Sequence, residues 1–154
     1  MIKRVHVYDL DGVLVDSSHR YRNTESGAID LQHWIANRTP ANIALDKILP
    51  RVAEYLEDLA NPFCYVIICT SRETNQADID FIANSLGAPD KLIMRPIGNT
   101  ENDAILKRRQ LQRMFNLRQF AKLPRVLWED NPKNINALRD LFSRIIFVQS
   151  NQGN

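Results

Sequence analysis

A chain of 154 residues, 44% hydrophobic and 25% charged, has the composition of one soluble globular domain long enough to bury its own core. The formal net charge of +2 excludes bulk attraction to nucleic acid as a defining property. No segment approaches the roughly 18 continuous apolar residues of a membrane span. Asp9, Asp11 and Asp16 interrupt the first apolar run, so the N-terminus does not read as a signal peptide and a cytoplasmic protein is expected.

The first strand is predicted at Arg4–Tyr8, and it runs into Asp9-Leu10-Asp11-Gly12. Two carboxylates one residue apart, followed by a glycine that can turn the backbone, can face one small volume. There they repel unless a hard cation such as Mg2+ or a shared proton intervenes; the alternative is a solvated turn. The polar stretch 17–49, with Gly27 and Pro40, breaks the alternation that follows and reads as a small flap, too short for a cap domain.

From residue 50 onward apolar strands alternate with amphipathic helices. Helices are predicted over 50–59, 74–86 (closed by Gly87), 102–115 and 132–142, and further strands over 64–69, 91–94, 125–128 and 144–148. This pattern predicts an α/β, Rossmann-like three-layer sandwich with a mainly parallel five-stranded sheet. A single domain over 1–149 with a flexible tail at 150–154 is expected. Trp34 and Trp128 lie in apolar patterns and read as core rather than as stacking platforms.

Open α/β sheets bind ligands beyond the carboxyl ends of their strands. Three such ends carry suitable groups: Asp9 after the first strand, Thr70-Ser71-Arg72 after the second, and Glu129-Asp130 after the fourth. Cys64 and Cys69 are spaced to point to opposite faces of one strand, and His6, His19 and His33 lack ligand spacing, so oxygen ligands are expected for any metal. The basic stretch 107–125 reads as a solvated helix face or as a surface that steers a polyanion.

The ordered residues Asp9-Leu10-Asp11-Gly12, Thr70-Ser71-Arg72, Lys107 and Glu129-Asp130 resemble the haloacid dehalogenase-like phosphotransferases. The run from Met94 through Arg95 and Asp103 to Lys107 is similar to the phosphatase domains of phage polynucleotide kinase-phosphatases. The resemblance implies a nucleophile at Asp9, a general acid and base at Asp11, and a phosphoryl-neutralising Lys107, with Lys91 and Lys133 as the competing lysines. It also implies Mg2+ held by Asp9, the Asp11 carbonyl and Asp130, with Glu129 at the metal's waters. Thr70 would donate to a phosphoryl oxygen, unless it caps a helix. Gly12, Ser71, Arg72, Arg95, Asp103, His19 and Arg20 are the candidate substrate contacts; Arg95 and Asp103 read equally well as a surface ion pair.

The leading expectation is an Mg2+-dependent phosphomonoesterase with an open site, acting on a polynucleotide 3'-phosphate. A small nucleotide or sugar phosphate is the nearest alternative, and a silent binding module on the same fold the alternative from another class. No phosphate-binding kinase loop occurs in the chain.

Overall fold

The structure is a computed structural model that describes residues 1–149; the expected tail at 150–154 lies outside the described residues. In chain order the elements are β1 (Arg4–Tyr8), β2 (Val15–Asp16), α1 (Leu31–Ala36), α2 (Pro40–Ile43), β3 (Lys47–Ile48), α3 (Val52–Ala60) and β4 (Cys64–Glu73). They continue with α4 (Gln76–Phe81), β5 (Lys91–Arg95), α5 (Asp103–Phe115), β6 (Arg125–Glu129), α6 (Pro132–Leu138) and β7 (Arg144–Phe147).

Five strands form one parallel sheet in the order β5-β4-β1-β6-β7. Period-two alternation divides its side chains between two cores. Tyr8, Val66, Ile68 and Trp128 pack toward α3 with Val52 and Tyr55, while Val5, Val7, Ile67 and Leu127 pack toward α5 and α6 with Leu111, Met114 and Leu138. Cys64 and Cys69 fall on these opposite faces and are both free thiols. Each fully buried aliphatic side chain contributes roughly 1.5–3 kcal/mol through removal from water. Tyr8 is stacked on Trp128 and meets the edge of Tyr55, which makes β1 the axis of the larger cluster.

The parallel register also places the chemistry. Tyr8 is level with Ile68 on β4 and Trp128 on β6, so the next residues along, Asp9, Cys69 and Glu129, reach the carboxyl edge together. They share parity with Val7, Ile67 and Leu127, and therefore point to the face covered by α5. β1 has β4, the next strand of this sheet in chain order, on one side and the later β6 on the other. The crevice outside it is thus the switch point where such sheets hold ligands.

Three differences from the sequence pattern have local causes. β4 runs on to Glu73 because its pairing with β5 shifts register between Cys69 and Glu73, a bulge that carries the strand past its apolar part. The helix predicted over 74–86 starts from an Asn75 cap and becomes a π turn at Ile82–Leu86, closed by the Gly87 N–H on the Ile82 carbonyl at φ +98°. The helix predicted over 132–142 is α-helical only to Leu138 and tightens into a 3-10 turn at Arg139–Leu141.

The flap is more ordered than its composition suggests. β2 pairs antiparallel with β3, and α1 and α2 are capped by the Asp30 and Thr39 side chains. Trp128 is in the core as expected; Trp34 is not, for it sits half-buried on the flap in neither apolar cluster.

Candidate active site

The loop after β1 turns tightly. Leu14 and Val15 donate to the Leu10 carbonyl, Gly12 donates to Val15, and Gly12 takes φ +82°, a conformation a Cβ would strain. Asp9 is anchored by its own N–H on the Trp128 carbonyl at 2.9 Å, which ties the head of the loop to β6.

Lys107 enters from the second turn of α5, and its buried Nζ lies 2.8 Å from Asp9 Oδ1 and 3.1 Å from Glu129 Oε2. Burial opposes the ammonium, but the two carboxylates outweigh it and hold its pKa well above the ordinary lysine value. Lys91 lies exposed at the opposite end of its strand and Lys133 is exposed on α6, so neither competes for this role.

Asp9, Glu129 and Asp130 offer carboxylate oxygens all within 4.8 Å of one another. Three acids against one lysine leave an excess of negative charge in a buried place. Burial and the Glu129 charge push Asp9 well above the ordinary range, and burial carries Asp130 up to about 6. Hard oxygen donors, converging and short of positive charge, suit a divalent cation such as Mg2+. Cys69 lies behind the same cluster, but burial pushes its thiol up to about 12, so it is an inert neighbour.

Asp11 belongs to a second network on the other face. Arg72 grips it with Nη2 to Oδ1 at 2.6 Å and Nε to Oδ2 at 3.0 Å, and Ser17 donates to Oδ1 at 2.7 Å. Burial would raise this carboxyl, yet the Arg72 charge and these hydrogen bonds bring it down to about 2. Arg72 also bonds Asp78 at 2.6 Å and Asp46 at 3.0 Å. Asp46 in turn receives two bonds from Arg20 and one contact from His19.

Arg72 is therefore a buried organiser of Asp11. Arg20, which is 2% exposed, and His19 reach Asp46 and lie behind Arg72. Thr70 is buried and accepts from the Arg72 N–H; Asn75, not Thr70, caps the following helix. Arg95 bonds the Ser71 carbonyl, Asn99, the Glu101 carbonyl and Asp103, so that pair staples the loop before α5 to the end of β4.

Asp46, Asp78 and Ser17 carry no mark in the sequence pattern. Asp78 sits inside an amphipathic helix pattern and Asp46 inside an aperiodic flap, where neither the period nor a strand end marks an acid as special. The retrievable signal was Asp46 itself, a lone acid between Leu45 and Lys47 in the half of the flap that returns to the fold.

The sequence model of the bacteriophage T5 5'-deoxynucleotidase family matches residues 1–130. The chain belongs to that family. It is built on the haloacid dehalogenase-like fold without a large cap. No curated protein matches it. A haloacid dehalogenase-like hydrolase from Streptococcus pneumoniae superposes with a TM-score of 0.67 at 15% identity, covering 97% of this chain and 88% of its own. A chain of the Pnkp1/Rnl/Hen1 RNA repair complex gives 0.65 at 19% identity; this chain spans 43% of its length. Apo phosphoserine phosphatase gives 0.51 at 14% identity over 94% of that chain. At these identities the three likenesses describe the fold.

Proposed function

We propose that the protein is an Mg2+-dependent 5'-nucleotidase that hydrolyses deoxynucleoside monophosphates through an aspartyl-phosphate on Asp9. Membership in the T5 5'-deoxynucleotidase family supports the substrate class, and the Lys107 bridge between Asp9 and Glu129 is the observation that carries the chemistry.

Asp9 Oδ1 is engaged by Lys107, which leaves Oδ2 to attack phosphorus. The Lys107 ammonium stands beside the forming bond, where it neutralises charge on the transferring phosphoryl group in a buried setting. Asp9, Glu129, Asp130 and the Asp11 carbonyl would hold Mg2+, which screens the anionic nucleophile from the anionic substrate. Asp11 rests as a carboxylate in the grip of Arg72 and Ser17. That state suits activation of water in the second step. To protonate the leaving alcohol in the first, Asp11 has to loosen from Arg72 and take up a proton. Thr70, on β4 just past Cys69, supplies a hydroxyl for a phosphoryl oxygen.

A second reading, an oligonucleotide 3'-phosphate, is favoured by a groove of about 570 Å³ between α5 and α6 that includes Arg108, Arg109 and Arg113. Two of these arginines are already paired, Arg108 with Asp140 and Arg109 with Glu101. The rest of the basic stretch runs down α5 and returns to Arg125 at the start of β6, the edge of the sheet opposite the site. Both facts favour the small nucleotide.

A phosphate-release assay with Mg2+ decides between them. Deoxynucleoside 5'-monophosphates should exceed 3'-phosphorylated oligonucleotides in kcat/KM, with little salt dependence. The reverse order, with an oligonucleotide advantage that shrinks as salt rises, would replace this reading with the second.

A further inference from the structure

The flap carries a feature the chemistry above leaves unused: two aromatic rings beside the catalytic carboxylates. Arg22 receives the Asp30 N–H on its carbonyl and bonds the Asp30 carboxylate, Asn23 bridges Ile29, and Gly27 turns the tip at φ +85°. This small hairpin folds Tyr21 back against α1, where its ring meets Trp34 at 6.3 Å between centroids and 61° between planes. Both residues are half-buried.

Trp34 is held from beneath by charge. The Arg20 guanidinium lies 4.3 Å from the indole centroid and that of Arg72 lies 5.7 Å away. Both arginines bond the same oxygen of Asp46, at 3.1 and 3.0 Å, which gathers the two cations beside the ring. Arg20 Nη1 is buried with no hydrogen-bond partner among the described residues, so the indole π face supplies part of that cation's compensation. Trp34 is only half-buried, so part of its side chain keeps access for a ligand. Its distance from the chemistry is a single side chain, because the Arg72 that underlies Trp34 also forks onto Asp11. Tyr21 is within electrostatic reach of the same centre: burial first, and then the negative charges of Asp16, Asp11 and Asp130, raise its phenol.

We propose that Trp34, edged by Tyr21, is the stacking platform for the nucleobase of the substrate. The assignment rests on the nucleotide reading above and adds the residue that grips the base. A flat ring fixed by two guanidinium groups presents a π face and no base-reading hydrogen bonds of its own. Such a platform distinguishes a nucleotide from a base-free sugar phosphate and tolerates any base. The exposed Leu31, three residues before Trp34 on the same face of α1, extends apolar surface beside it.

The test is a selectivity ratio, kcat/KM for deoxyadenosine 5'-monophosphate over that for deoxyribose 5-phosphate. Trp34→Leu keeps apolar bulk without a π face and should lower this ratio about tenfold, while Trp34→Phe should recover most of it. A melting temperature within a few degrees of wild type qualifies each variant, and Trp34→Phe against Trp34→His carries the comparison if the leucine variant does not fold. A wild type that favours the nucleotide, with variants of unchanged ratio, would overturn the platform and leave the nucleotidase reading standing. A wild type with no preference for the nucleotide would overturn both.

Discussion

Arg72 holds Asp11 in a fork, Nη2 on Oδ1 and Nε on Oδ2, and it does so while bonded to two further carboxylates, Asp46 and Asp78. A guanidinium alone has the donor geometry for this; an ammonium is a point charge. The general acid and base of the proposed reaction is thereby tied to the flap through Asp46 and to α4 through Asp78.

Removing that cation should damage fold and chemistry together. Arg72→Ala leaves Asp46 and Asp78 buried without their shared partner, and the expected loss is about 3–5 kcal/mol of unfolding free energy. Arg72→Lys keeps a charge and loses the fork, so it should be the milder change in stability yet still slow turnover of alkyl phosphates more than of an activated aryl phosphate, which needs less protonation. Denaturant melts and paired substrates measure both. An alanine variant as stable as wild type would mean that the network contributes nothing.

Asp9→Asn should abolish phosphate release and keep the fold. The carboxyl is already disfavoured as an anion by burial and by Glu129, so the amide removes the attacking charge and also relieves repulsion. In chelator at pH 7 its melting temperature should equal or exceed that of wild type. Turnover in a preparation free of wild-type enzyme would remove Asp9 from the nucleophile's role.

Much of this centre is legible in the sequence because it is made by strands. Asp9 and Glu129 end apolar runs, and period two assigns them to the face that α5 covers, where a lysine one turn into that helix meets them. The flap has no such rule. Asp46 becomes important only when the fold brings it under Arg20 and Arg72. Trp34 reads as core from its apolar neighbours, but Ile29, Leu31 and Ile35 are themselves exposed, so the pattern that usually marks an interior marks a surface here. The longer β4 and the π turn after α4 were likewise hidden, since a bulge and an i−5 bond leave no periodic trace.

The Asp11 fork also sets a pH dependence of stability. Its folded pKa of about 2 lies below the ordinary value of about 3.9. A depressed carboxyl stabilises the fold above the unfolded value, and that contribution is lost as pH falls from about 4 toward 2. Its size is on the order of 2 kcal/mol. Asp11→Asn should therefore melt below wild type at pH 7, and the gap should narrow as pH falls to 3. A gap that stays constant over that range would show that Asp11 is not held as an anion by Arg72.

The acidic cluster makes the prediction for metal removal. Asp9, Glu129 and Asp130 together carry more negative charge than Lys107 balances, and burial lifts Asp130 to about 6. A divalent cation that binds the folded cluster and not the unfolded chain stabilises the fold by mass action, about 2.7 kcal/mol at a hundredfold excess over Kd. The melting temperature should rise with Mg2+ and fall back on chelation, and phosphate release should vanish with it. In Asp130→Ala one ligand is missing and one unfavourable charge is gone, so the protein without metal should be at least as stable while its Mg2+-dependent rise in melting temperature shrinks. The Mg2+ concentration for half-maximal turnover should increase at least tenfold, or turnover should be lost. Full activity in chelator, or a melting temperature indifferent to Mg2+, would mean that the cluster balances its charge by protonation and that Asp9 attacks without a metal.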